Sequence, residues 1–180
     1  MDISKWDVSR TKFMNRMFAN SKFNGDISNW NTSNVIDMDG MFEESEFNGD
    51  ISNWNTFNVE YMFSMFYENK VFNQDISKWN VSNVTTMEYM FYGSVFDKPI
   101  SRWNIQNCQN FSNMFTNSKF NQNISNWDFS KSNINYKNFA HNSTLEKHPN
   151  FMPKFSDNIM NESNFNFNID IEPDQKQTGI

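Results

Sequence analysis

The chain has 180 residues, enough for one ordinary domain, and a formal net charge of −6 with a sequence pI of about 4.9. That balance, with no run of five basic residues, excludes a partner held through nucleic-acid phosphates. A 17% aromatic content predicts a folded rather than a disordered chain, and the single cysteine, Cys108, excludes an intrachain disulfide.

From the N-terminus, MDISKWDVSR lacks the apolar core of a secretory signal, and no 18-residue apolar stretch exists to span a membrane. A repeat then begins at once. The six tryptophans, Trp6, Trp30, Trp54, Trp79, Trp103 and Trp127, are spaced 24, 24, 25, 24 and 24 residues apart. An isoleucine stands three residues before each of them, from Ile3 to Ile124, and a serine two before. Met14, Met38, Met62, Met87 and Phe111 lie eight residues after. A Met-Phe pair follows at 17–18, 41–42, 65–66, 90–91 and 114–115, and the sixth copy keeps only Phe139. A fixed period of this length predicts a repeat solenoid of about 24 residues per coil, since one copy cannot bury its own apolar face. The extra residue within 67–71 predicts an outward loop there.

The recurring pattern F-N-x-D-I-S-x-W-N-V-S-N-V-T-x-M-x-x-M-F, clearest at 72–91, resembles the BspA-like surface-protein repeats. It is closest to the branch first described in mycoplasma lipoproteins as a domain of unknown function, and the resemblance covers residues 1 to about 140. It implies a leucine-rich-repeat-like fold, a cell-surface or extracellular location and a role in adhesion or interaction. It implies no catalytic residues and no cofactor. Lys98-Pro99 and Gln122-Asn123 depart from the usual residue-Asp pair before Ile, so Asp is not required there.

On that template, I-x-x-W-x-V predicts a short parallel strand around each Trp, and each Met-Phe pair a short helix or 3-10 turn. The indoles are expected to stack in one unbroken column. Phased Met beside Phe and Trp reads as core packing rather than a cofactor ladder. Cys108 shares the phase of Val35, Val59 and Val84, which makes it a buried apolar residue rather than a nucleophile. One phased Asp per copy (Asp2, Asp26, Asp50, Asp75) falls short of the six to eight oxygens of a calcium site.

The residues one before, one after and three after each Trp alternate away from it and form the expected polar binding face. Candidates there are Asn31, Asn55, Asn80 and Asn104, the basic Lys78 and Arg102, and Phe57, an aromatic where other copies place Ser or Gln. Asn34, Asn58, Asn83 and Asn107 read instead as a structural amide ladder. Phased Thr32 and Thr56 point inward, unlike the flat outward threonine ladder of an ice-binding solenoid. The first copy has no polar cap, which predicts further coils or a partner against it. The repeat ends near residue 140. Residues 141–171 are expected to form a helix-plus-strand cap, with Phe151, Phe155 and Ile159 at helical spacing and Phe165 to Ile171 alternating. Residues 172–180 form a loose tail.

The sequence therefore predicts a non-catalytic interaction module with a protein or glycan partner, or else a structural spacer.

Overall fold

The structure is a computed structural model that describes residues 2–130 and 133–155. Its organisation follows from where the backbone hydrogen bonds go. Parallel bridges join Phe13 to Asp37, Asp37 to Tyr61, Tyr61 to Thr86, Thr86 to Asn110 and Asn110 to Asn135. Each step carries the chain from one repeat to the next. The ladder continues through the residues that follow: Met14 N, Arg16 N, Phe18 N and Asn20 N donate to the carbonyls of Asp37, Asp39, Met41 and Glu43. The same four-rung pattern recurs between the second and third repeats, from Met38 N to Glu44 N. A buried stretch of backbone thereby satisfies its polar groups across repeats rather than within one.

The parallel pairing thus lies seven residues after each of the first five tryptophans, not around it. Around Trp30 the chain turns, with Trp30 N donating to Ile27 O at 3.1 Å. The preceding Asp26 Oδ1 accepts from Ser28 N at 2.9 Å, and Asp2, Asp50 and Asp75 do the same in their repeats. An Asp that hydrogen-bonds the backbone two residues on sets a turn and takes an N–H away from any ladder. Those bonds stabilise the ionised form and lower the carboxyl pKa of each of these aspartates. A strand beside Trp occurs at the last one, where β1 (Asp128–Phe129) pairs in parallel with β2 (Lys154–Phe155).

The Met-Phe segments are turns rather than helices. In the first five repeats, residues ten and fourteen after Trp hold positive φ, as at Arg16 (54°), Asn20 (56°), Gly40 (58°), Glu44 (49°), Tyr89 (56°) and Gly93 (61°). One left-handed residue every four breaks the helical hydrogen-bond run, so i→i+3 turns such as Met17 N to Met14 O replace it.

Inside, the continuous aromatic columns are phenylalanines. Phe18, Phe42, Phe66, Phe91 and Phe115 follow one another at 5.6–5.7 Å between ring centroids. Phe23, Phe47, Phe72, Phe96 and Phe120 form a parallel row at 6.1–6.4 Å. The two rows touch within each repeat, as at Phe42–Phe47, 4.1 Å. Trp30 to Trp127 are buried beside them, but Trp6 is 56% exposed and stands outside the expected column. Met, Phe and Val35, Val59 and Val84 complete the core.

The one-residue insertion falls at 70–71, on the outside as expected, and is held by a buried residue just before it. Asn69 is fully buried, with Lys70 and Val71 exposed after it. Its amide nitrogen donates to Phe42 O, Ser45 Oγ and Phe47 O, and its Oδ1 accepts from Val71 N and Phe72 N. Beyond the repeats, Leu145 is buried in the phase of the second phenylalanine row. Short 3-10 turns follow at Leu145–Lys147 and Pro149–Phe151. Phe155, expected on a helix, lies on β2 instead. The remainder of the expected cap, with Ile159 and 165–171, and the tail 172–180 lie outside the described residues.

Candidate functional site

Two faces of the molecule are chemically different, and the turn and ladder geometry explains why. The Trp side is repetitive. Asn31, Asn55, Asn80 and Asn104 are exposed, yet each Oδ1 accepts the backbone N–H two residues on, from Ser33, Phe57, Ser82 and Gln106. These four candidates serve the turn after Trp. Asn34, Asn58, Asn83 and Asn107 donate to the carbonyls of Ser9, Ser33, Phe57 and Ser82, one repeat back. Thr32 and Thr56 are buried and donate forward to Asn55 O and Asn80 O. Phe57 is 52% exposed, and Lys78 and Arg102 are exposed on the same side. Beside Asn104, a cleft of about 180 Å³ runs between Trp103 and Trp127, floored by Ile105 and Ile134.

The ladder side varies from repeat to repeat. There the residue at the bridge and the residue two later flank a buried Met or Phe, so they face outward together. They read Phe13 and Asn15, Asp37 and Asp39, Tyr61 and Phe63, Thr86 and Glu88, and Asn110, while Ser112 at the last of these positions is buried. Phe13, Tyr61 and Phe63 are 63%, 41% and 38% exposed. Phe63 meets Tyr89 edge-on at 6.0 Å, and Tyr67 stacks on Tyr92 at 5.0 Å, which extends the aromatic strip into the fourth repeat. Sequence reading passed over these residues because it placed the strand at Trp; the signal that would have found them is the loss of phase at these two positions.

Between the second and third repeats this side forms a cleft of about 130 Å³, lined by Asn15, Arg16, Asp37, Asp39, Gly40, Glu43 and Phe63. Asp39 Oδ1 accepts from Phe63 N at 2.7 Å, and Asp37 Oδ1 accepts from Asp39 N at 2.8 Å. Burial, with Asp37 adding its negative charge, pushes the Asp39 carboxyl up to about 6. Arg16 reaches across from the first repeat and pairs with Glu43. Its stem lies over Gly40, where a Cβ would come within 3.1 Å of Arg16 Cγ.

Cys108 is buried, and burial pushes its thiol up to about 12. Burial thus disfavours the thiolate, the form a cysteine nucleophile needs. His141 lies within 3.8 Å of Glu146. Among the described residues no helix is long and apolar enough to cross a membrane, and no group of three or more His, Cys, Asp or Glu is placed to hold a metal ion.

Residues 1–95 and again 44–151 match the model of a family described as a mycoplasma protein of unknown function, DUF285. No curated protein and no solved structure matches the chain.

Proposed function

This chain belongs to the mycoplasma protein family of unknown function DUF285, and we propose that it acts as a non-catalytic interaction module: a BspA-like, leucine-rich-repeat-type solenoid of a cell surface whose ladder side engages a protein or glycan. The reading rests on one contrast. The asparagines of the Trp side repeat and are committed to their own turns, with Phe57 as its one aromatic departure, whereas the outward ladder positions change in every repeat and carry Phe13, Tyr61 and Phe63 exposed. A face that serves only to stack repeats has no need to vary, and exposed aromatics are the usual anchors of a contact.

The alternative is a spacer solenoid without a dedicated ligand, favoured by the self-satisfied amides of the Trp side. Affinity capture separates the two. The immobilised full chain is exposed to cell-surface and matrix extracts as wild type, as Phe57→Ser, and as Tyr61→Ser with Phe63→Ser. The interaction module requires a species held by wild type and lost from the ladder variant. Loss from Phe57→Ser alone would move the contact to the Trp side. Equal recovery of every species by all three proteins would leave the spacer.

A further inference from the structure

Resting on that reading, the charge around the ladder cleft identifies the chemistry of its partner. Segments 36–46, 60–71 and 85–95, which build the ladder side of the middle repeats, hold eight carboxylates and one cation, Lys70. Lys70 is already paired with Glu68. In the cleft itself, Asp37, Asp39 and Glu43 face the single guanidinium of Arg16, which pairs with Glu43. Neither aspartate has a salt-bridge partner among the described residues, and Phe63 forms the adjoining wall. With its net charge of −6, a second copy of this chain is a poor occupant.

We propose that the cleft of Asp37, Asp39 and Phe63 receives an arginine or lysine side chain from an extended, basic segment of a partner protein. The cationic head lies against the Phe63 ring while the two carboxylates accept its N–H groups. Arg16 shows that a guanidinium with its stem already fits this surface: it lies across Gly40, whose missing side chain makes the room. Further residues of the segment follow the aromatic strip toward Tyr67 and Tyr89. Those phenols are raised in pKa first by burial, with Glu68, Glu44 and Glu43 adding to Tyr67 and Glu88 to Tyr89, so the strip is ringed by negative charge. Asp39 is half-buried, and burial raises its carboxyl to about 6, so a cation placed against it would favour the ionised form.

The test is calorimetric titration of the full chain with a synthetic hexa-arginine peptide and, separately, with a neutral chito-oligosaccharide. Asn keeps one acceptor oxygen at each position, enough for the backbone N–H groups of Phe63 and Asp39, and replaces the other with an uncharged NH2 donor. Asp37→Asn with Asp39→Asn should weaken the peptide about tenfold, and Phe63→Ala about threefold or more. Phe63→Tyr should retain binding. Asp50→Asn with Asp75→Asn removes the same charge from the Trp side and should change affinity less than about twofold. Thermal melts followed by circular dichroism check that each variant folds. The proposal is overturned if the hexa-arginine peptide does not bind, if the two double variants weaken it equally, or if neither ladder change matters. Oligosaccharide binding that depends on Phe63 but not on the aspartates would also overturn it, while leaving the interaction module standing. Capture of no species in the extract experiment would remove both.

Discussion

The indole nitrogen of Trp54 donates to the carbonyl oxygen of Ile27, one repeat earlier, at 3.1 Å. Trp30, Trp79 and Trp103 repeat the bond to Ile3, Ile51 and Ile76 at 3.0–3.1 Å. Tryptophan is therefore fixed at this phase for two reasons: its ring fills the core, and its one polar atom ties each repeat to the last. Phenylalanine satisfies only the first. At Trp127 the nitrogen is buried with no hydrogen-bond partner among the described residues.

That difference gives a paired prediction. Trp54→Phe and Trp127→Phe both lose ring volume from a buried position. Only Trp54→Phe also loses a hydrogen bond, and Trp127→Phe removes an unsatisfied donor. Trp54→Phe is expected to be the more damaging by about 1 kcal/mol. Urea unfolding with unchanged m values would measure it. Equal loss at the two sites would show that the indole bond contributes nothing.

Asn69, buried at the phase of Ser45 and Ser118, anchors the base of the longer loop of the third repeat. Asn69→Ala leaves the buried N–H of Phe72 and the N–H of Val71 without their acceptor. The expected loss is about 2–5 kcal/mol, large for a single polar side chain. Other repeats use Ser at this phase with one residue fewer, as at Ser45 and Ser118. Asn69→Ser combined with deletion of Lys70 should recover most of the lost stability in the same unfolding assay. Failure to recover would mean that the third repeat needs its own length.

Asp39 supplies the pH dependence. Its folded pKa of about 6 lies above the ordinary 3.8, so the folded state disfavours the ionised carboxyl. That penalty is complete above the folded value and vanishes below the unfolded one. Asp39→Asn should therefore stabilise the protein at neutral pH, by on the order of 1 kcal/mol after allowance for solvent screening of a half-exposed group. The gain should shrink as pH falls through 6 and disappear below 3.8. Melting temperatures of wild type and variant across that range check it; a gain independent of pH would assign the effect to something other than charge.

How much of this was legible in the sequence depends on the kind of physics involved. Phase alone placed Cys108, the valine row and the inward Thr32 and Thr56, because buried stacking admits only apolar or internally bonded groups at those positions, and the same requirement recurs every 24 residues. The amide ladder of Asn34, Asn58, Asn83 and Asn107 was legible for the same reason. The place of the parallel pairing was not. It hinges on the turn before each Trp, closed by an aspartate in the first four repeats, and on left-handed residues such as Arg16, Ser64 and Tyr89 that no propensity scale would nominate. Nor did spacing reveal that Asn69, in the phase of Ser45, is buried and holds the longer loop at its base, since a count of residues does not say which polar side chain turns in.

What the sequence determined by itself is the period and most of the residues that must be inside, both consequences of burying one apolar stripe many times. What only the tertiary structure decided is which side carries individuality. Asp37 and Asp39 come from one repeat and Tyr61 and Phe63 from the next, and they meet because backbone hydrogen bonds align each repeat on its neighbour. A cleft made of residues 24 apart exists only when that alignment does, so no local rule of composition or propensity could have drawn it.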